Sequence, residues 1–235
     1  PMLLPMSKIA GRVAMQTATY YLQRHAGGRG ILLGGENGET NGKVVIIGGG
    51  TAGESAATVA LGLGAEVVLF DNSETKIKTL AKKFEDQICC MTTDADIFID
   101  HIFSAEVVVG AVLIPGASAP KLLTRRMLRS MKKGALLVDI AIDQGGCFET
   151  SRPTNHDQPI YVEEEIIHYC VANIPSAVPV TSTHSLSRAT LPYIKILARD
   201  GVDRVALSKE HPLHSGLNIH KGSVTCEPVA KALDL

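Results

Sequence analysis

Apolar and polar positions along the chain fall into blocks whose spacing separates strands from helices. Val44-Val45-Ile46-Ile47 is an unbroken β-branched run, and beyond Gly48 to Gly53 the apolar residues Ala56, Val59, Ala60 and Leu63 recur at helical spacing. A second run, Val67-Val68-Leu69-Phe70, ends on Asp71. The pattern then predicts a polar helix from Glu74 to Phe84, a short strand from Ile88 to Met91 and a helix from Asp94 to Phe103. A strand buried on both faces follows from Glu106 to Leu113. Pro115 to Pro120 reads as a loop, Thr124 to Met131 as a helix, and Ala135 to Ile140 as the next strand. Residues 151 to 165 look irregular, and Ile166 to Val171 is strand-like. Alternation of strand and helix predicts an α/β fold with a doubly wound, parallel, Rossmann-type sheet.

The ends of the chain carry different patterns. Pro1 to Pro5 reads as extended, with Ser7 placed to cap a helix that carries Ile9, Val13, Thr17 and Tyr21 on one face and runs to about His25. Gly27, Gly28, Gly30, Gly34, Gly35 and Gly38 then crowd a stretch that reads as a mobile loop, either a hinge or linker or an ordinary surface connection. Toward the C-terminus a helix is expected from about Ser182 to Arg199. Gly201 would be its stop, and Pro192 would either kink it or open its second half. A short final helix is expected within Glu227 to Leu235.

The junction of the first strand and helix carries chemistry. Gly48, Gly50 and Gly53 fill G-x-G-x-x-G: the first permits a tight turn, the second lets backbone approach a pyrophosphate, and the third lets helix pack closely on strand. Unpaired N–H groups at the helix start, with the positive end of its dipole, would hold phosphates without a basic side chain. Asp71, about 18 residues past Gly53, would accept hydrogen bonds from the adenosine ribose and repel a 2′-phosphate, which favours NAD over NADP. Two further polar residues follow strand ends. Asp143 stands where ligands of open α/β sheets sit, or is a turn-forming acid before Gly145-Gly146. Asn173 could bind a carboxamide or substrate, or start the turn before Pro175.

Composition narrows the function classes. With net charge −1 and dispersed lysines and arginines, no basic face for nucleic acid or anionic membrane is indicated. Apolar runs are broken well short of a membrane span. The five cysteines include one adjacent pair and no C-x-x-C, which argues against a disulfide framework or zinc site and for a reducing, cytoplasmic setting. The eight histidines show no metal-ligand spacing, and His211 and His214 are separated by Pro212. No metal is expected. Because the chain opens on Pro1, it is expected to be part of a longer polypeptide.

Several stretches together resemble the alanine dehydrogenase family, related to the nicotinamide nucleotide transhydrogenases. They are Pro5 to Arg12, the glycine motif with Asp71, Gly110-Ala111-Val112-Leu113-Ile114-Pro115-Gly116, Val138 to Gly146 (VDIAIDQGG, with CFETSRPT after it) and Val171-Ala172-Asn173-Ile174-Pro175. The resemblance implies interconversion of L-alanine with pyruvate and ammonia by an NAD-dependent homo-oligomer, commonly a hexamer. It implies that Ser7 reaches the cofactor phosphates beside Gly48, Gly50, Thr51, Ala52 and Gly53. Asp71 and Lys76 would meet the adenosine ribose, Thr93 would lie near the adenine, and Val112, Leu113 and Ile140 would line the cofactor cleft. Asp143 would be the active-site carboxylate, also touching the cofactor, and Asn173 would lie at the nicotinamide end. The implied organisation is a linking helix at 1–26, a Rossmann domain at 27–178 and, at 179–235, the C-terminal part of a substrate domain. The rest of that domain precedes the point matching Pro1 in the family, so the C-terminal segment is expected to lack a partner for its apolar face. The chain alone is expected to bind NAD and turn over alanine poorly or not at all. The rival readings are an NAD(H)-binding hydride-transfer subunit of a proton-translocating transhydrogenase, and a non-catalytic NAD-binding module.

Overall fold

A computed structural model of the chain describes residues 2–36, 41–93, 95–113 and 119–232. The chain opens with helix α1 (Leu4–Tyr21) and a 3-10 turn at Arg24–Ala26. There follow β1 (Lys43–Ile47), α2 (Thr51–Gly62), β2 (Glu66–Phe70), α3 (Glu74–Lys83), β3 (Cys89–Met91), α4 (Ala95–Ser104) and β4 (Val107–Gly110). The second half holds α5 (Arg125–Leu128), β5 (Leu136–Asp139), a 3-10 turn at Ile140–Gln144, β6 (Ile160–Glu163), β7 (Ile166–Tyr169) and a 3-10 turn at Ile174–Ala177. It closes with α6 (Pro179–Asp200), α7 (Val202–Leu207), the hairpin strands β8 (Ile219–His220) and β9 (Ser223–Val224), and α8 (Glu227–Ala232).

The main sheet runs β3-β2-β1-β4-β5-β7-β6. All its pairings are parallel except β6 with β7. Successive β1 residues serve opposite faces. Val44 and Ile46 belong to a core with residues of α1 and α2, while Val45 and Ile47 pack with Phe98, Ile102 and Leu128 of the α4–α5 side. Burial on both faces is why the strands read as continuous apolar runs. Strand order reverses between β1 and β4, and that crevice is where ligands of such sheets sit.

Three local expectations are corrected. Helix α1 starts at Leu4, so Leu4 and Pro5 are helical and Ser7 lies inside the helix, its N–H donated to Leu3 O at 3.0 Å. Proline is tolerated in a first turn because its missing N–H would be unpaired there anyway. Residues 151–165 contain strand β6, which returns through Glu164-Glu165 with φ of 50° and 61°. Such turns normally announce themselves by Asn-Gly, and two glutamates hide the signal. Ion pairs instead flank this turn, from Arg125 to Glu163 and Glu164 and from Arg129 to Glu164. The described part of the glycine-rich stretch is fastened, since Gly30 N–H donates to Leu22 O at 2.7 Å, Arg29 pairs with Glu106 at 2.7 Å and Leu33 is buried. Gly38 lies outside the described residues, as do Asp94, Ile114 and residues 115–118 of the expected loop.

Helix α6 begins three residues before Ser182, with a proline in its first turn, and continues past Pro192 to Gly201, whose φ of 75° ends it. It leaves Val180, Leu191, Ile194 and Leu197 exposed.

His168 on β7 is buried, with its ring stacked on Tyr161. Its Nδ1 faces Ile166 O at 3.0 Å, so this nitrogen carries the hydrogen and Nε2 meets Thr150 Oγ1 at 2.8 Å. Burial holds this imidazole below the ordinary 6.5. The unfolded chain therefore takes up a proton near pH 6.5 that the folded chain refuses, and this contribution to stability is complete above that pH and lost as pH falls through it. The Tm gap between wild type and His168→Gln is expected to narrow from about pH 7.5 to about pH 5.5 by about 2–4 °C, the scale of 1 kcal/mol in such a domain. Calorimetry on both proteins checks this, and a constant gap contradicts it.

Candidate dinucleotide site

The glycine turn has three distinct glycines. Gly48 has φ of 104°, and a Cβ there would sit 2.7 Å from Ala111 O at the end of β4. A Cβ on Gly53 would fall far inside contact distance of Gly48 O, so α2 can close on β1 only without one. A Cβ on Gly50 would meet nothing within 4 Å. Gly50 is also the N-cap of α2, in ordinary extended backbone, and no side chain caps the helix. The first turn of α2, Thr51-Ala52-Gly53, thus presents backbone N–H groups toward an open cradle.

Helix α1 reaches this turn by close packing. A Cβ on Gly11 would overlap Ala52 O and lie 2.9 Å from Ala56 N. Ser7, one helical turn earlier on that face of α1, is half-buried. The lone glycine within α1 carried no signal in the sequence, because its reason is entirely the tertiary approach.

Asp71 follows β2 and closes the other side. Its Oδ2 accepts Gly49 N–H at 2.8 Å and Lys76 Nζ at 2.8 Å, and its Oδ1 accepts Ser73 N–H at 2.9 Å. Burial pushes the carboxyl up, but the bonds from Lys76, Ser73 and Gly49 outweigh it and hold Asp71 below the usual carboxylate range. Three donors leave a carboxylate lone pair for a further hydroxyl. Lys76 thus meets Asp71 directly, and Thr93 Oγ1 donates to Asn72 Oδ1 at 2.9 Å, one residue beyond.

The opposite half of the crevice comes from β5 and β7. Asp143 lies exposed in the 3-10 turn after β5, and its Oδ1 accepts the N–H of Asn173 at 3.3 Å. Asn173 holds φ 53°, ψ 53°, a left-handed conformation that asparagine tolerates. Parallel pairing of β5 with β7 brings these residues together from distant parts of the sequence. Ile140 is partly buried against the α1–α2 core. Val112 is partly buried with its N 3.1 Å from a Cβ built on Gly48, and Leu113 is exposed.

Two charged residues at this site were not anticipated. Asp139 is fully buried at the end of β5, accepting from Ala141 N–H at 3.0 Å, Cys147 N–H at 2.9 Å and Ser151 Oγ at 2.5 Å. Burial raises its pKa against those bonds. Lys121 Nζ donates to Gly145 O at 2.5 Å and Gly146 O at 2.9 Å. An acid closing an otherwise apolar strand was the available sign for Asp139. Lys121 had none.

A glycine turn at the strand-order reversal, an uncapped helix start and an acid at the next strand's end define a dinucleotide-binding domain of the open α/β class. The residues fit a diphosphate and a ribose: Gly50 leaves the cradle open and Asp71 is kept ionised at its rim. The chain belongs to the family described as "Alanine dehydrogenase/PNT, C-terminal domain", whose model matches residues 14–227, and its cofactor is NAD. It is 47% identical to alanine dehydrogenases of Halomonas elongata and Mycolicibacterium smegmatis, covering 100% of this chain and 63% of each relative. A solved L-alanine dehydrogenase matches 100% of this chain and 64% of its own, at 40% identity and a TM-score of 0.92. A transhydrogenase from Sinorhizobium meliloti shares the fold at 23% identity and a TM-score of 0.75, covering 96% of this chain and 61% of its own. The chain thus spans less than two thirds of the length of the relatives it matches. Among the described residues, no cluster of His, Cys, Asp and Glu could hold a metal, and no helix is long and apolar enough to cross a membrane.

Proposed function

We propose that the chain is the cofactor-binding part of an NAD-dependent L-alanine dehydrogenase, interconverting L-alanine with pyruvate and ammonia in a homo-oligomeric enzyme. The observation that carries this reading is the meeting of Asp143 with Asn173 at the carboxyl ends of β5 and β7, across the crevice from the glycine turn. The level of identity to alanine dehydrogenases supports it over a transhydrogenase subunit, for which the likeness extends to fold alone.

The amides of Thr51, Ala52 and Gly53, with Gly48 and Gly50 giving access and Ser7 beside them, bind the diphosphate. Asp71 and Lys76 take the adenosine ribose, with Thr93 toward the adenine. Val112, Leu113 and Ile140 line the cleft, and Asn173 orients the nicotinamide end. When bound, NAD supplies a hydride acceptor. Asp143 then holds or moves a proton on the substrate nitrogen or on the water that replaces it. The grouping into a linking helix at 1–26, a cofactor domain at 27–178 and a contribution to the substrate domain at 179–235 accords with the uncovered apolar face of α6. Groups that grip the substrate carboxylate belong, in this reading, to the part of the relatives that this chain does not span.

The test is a pair of measurements on the 235-residue chain. NADH fluorescence titration is expected to saturate, while alanine-dependent NADH production stays at background. Absence of NADH binding overturns the cofactor reading, and robust alanine turnover overturns the division of the substrate site.

A further inference from the structure

The segment from Ala119 to Leu122 runs alongside the loop that follows Asp143 and satisfies four consecutive carbonyls. Ala119 N–H donates to Gln144 O at 3.1 Å, and Leu122 N–H donates to Cys147 O at 2.7 Å. Between them Pro120 has no N–H to offer. The Lys121 ammonium occupies that gap, reaching Gly145 O and Gly146 O. Among the described residues no carboxylate lies within ion-pair distance of Lys121, so its charge is directed at two carbonyl dipoles. On the inner side Asp139 collects the amides of Ala141 and Cys147. Gly145 and Gly146 have φ of 87° and 74°, a conformation with little intrinsic preference for itself in a free chain.

We infer that Lys121 is a positioning residue, which with Asp139 clamps the 140–147 loop so that Asp143 faces the nicotinamide end of the cofactor. The inference rests on the proposed NAD site. The two clamp residues differ in how they can be probed. A Cβ on Gly146 would sit 2.7 Å from Asp139 Oδ2, so the Asp139 side is packed tightly and its substitution would disturb the core. Lys121 is exposed, and replacing it removes the two outer bonds with little loss of packing.

The experiment compares NADH with ADP-ribose, which keeps the adenosine, diphosphate and ribose but lacks nicotinamide. In Lys121→Met the Kd for NADH is expected to rise about tenfold, the scale of a charge-assisted hydrogen bond, while the Kd for ADP-ribose stays within about twofold. Lys121→Arg, which keeps a donor to both carbonyls, is expected to restore most of the NADH affinity, and Lys121→Gln to fall between. An unchanged ratio of the two affinities, or a parallel loss of both, overturns the positioning role. If Lys121→Met fails to fold, the Gln variant decides by the same ratio. Wild type binding neither ligand refutes the cofactor site itself. Wild type binding both, with an unchanged ratio in the variants, refutes only the clamp.

Discussion

Gly50→Val is expected to abolish measurable NADH binding while leaving the fold in place. The residue has φ −73° and ψ −174°, backbone that valine adopts without strain, and the space where its Cβ would go is empty of protein. The cost to folding is that of a poorer N-cap, about 1 kcal/mol, which shifts Tm by about 2–4 °C in a domain of this size. The valine side chain would stand in the cradle before the first turn of α2. A diphosphate kept from two of those N–H groups loses charge-assisted bonds of about 1.5–3 kcal/mol each, which corresponds to at least about 100-fold in Kd. Calorimetric titration of a variant with a wild-type circular dichroism spectrum checks this. Retained affinity would mean that the diphosphate does not approach through Gly50. Gly53→Ala makes the contrast, because there the added Cβ meets Gly48 O and the damage goes to the packing of α2 on β1.

That contrast marks what could be read from the chain itself. The motif announced three glycines with three roles, and the structure separates them by what surrounds each one. Strand, turn, helix and strand from Lys43 to Phe70 were legible because both the apolar periods and the glycine spacing are local. Gly11 was not, since an isolated glycine within a helix costs stability relative to alanine, and only the approach of Ala52 O explains it. Strand β6 was missed because its turn uses glutamates in left-handed backbone, held from outside by arginines more than 30 positions away. Ser7 was read as a helix cap, yet the helix has already begun at Leu4 and Ser7 lies within it. Asp139 was passed over, although an acid closing an apolar strand was a sign the sequence offered. Its burial depends on Cys147 and Ser151 folding back over it.

Asp143→Asn in the complete enzyme is expected to lower kcat/KM for alanine by about 10²–10⁴-fold, the range ascribed to a positioned general acid or base. The site shows why the effect should fall on chemistry and spare cofactor binding. Asn keeps the shape of the side chain and a carbonyl oxygen that can accept the Asn173 N–H in place of Oδ1, so the bridge between the β5 and β7 loops survives. The loop itself is held by Asp139 and Lys121 through backbone atoms, which the substitution does not touch. The diphosphate cradle and Asp71 lie at other strand ends. What is lost is the capacity to accept a proton. Stopped-flow measurement of NADH formation, with NADH affinity measured in parallel, separates the two. Turnover within a few-fold of wild type, at unchanged affinity, would assign the proton to another group and reduce Asp143 to a strut between two loops.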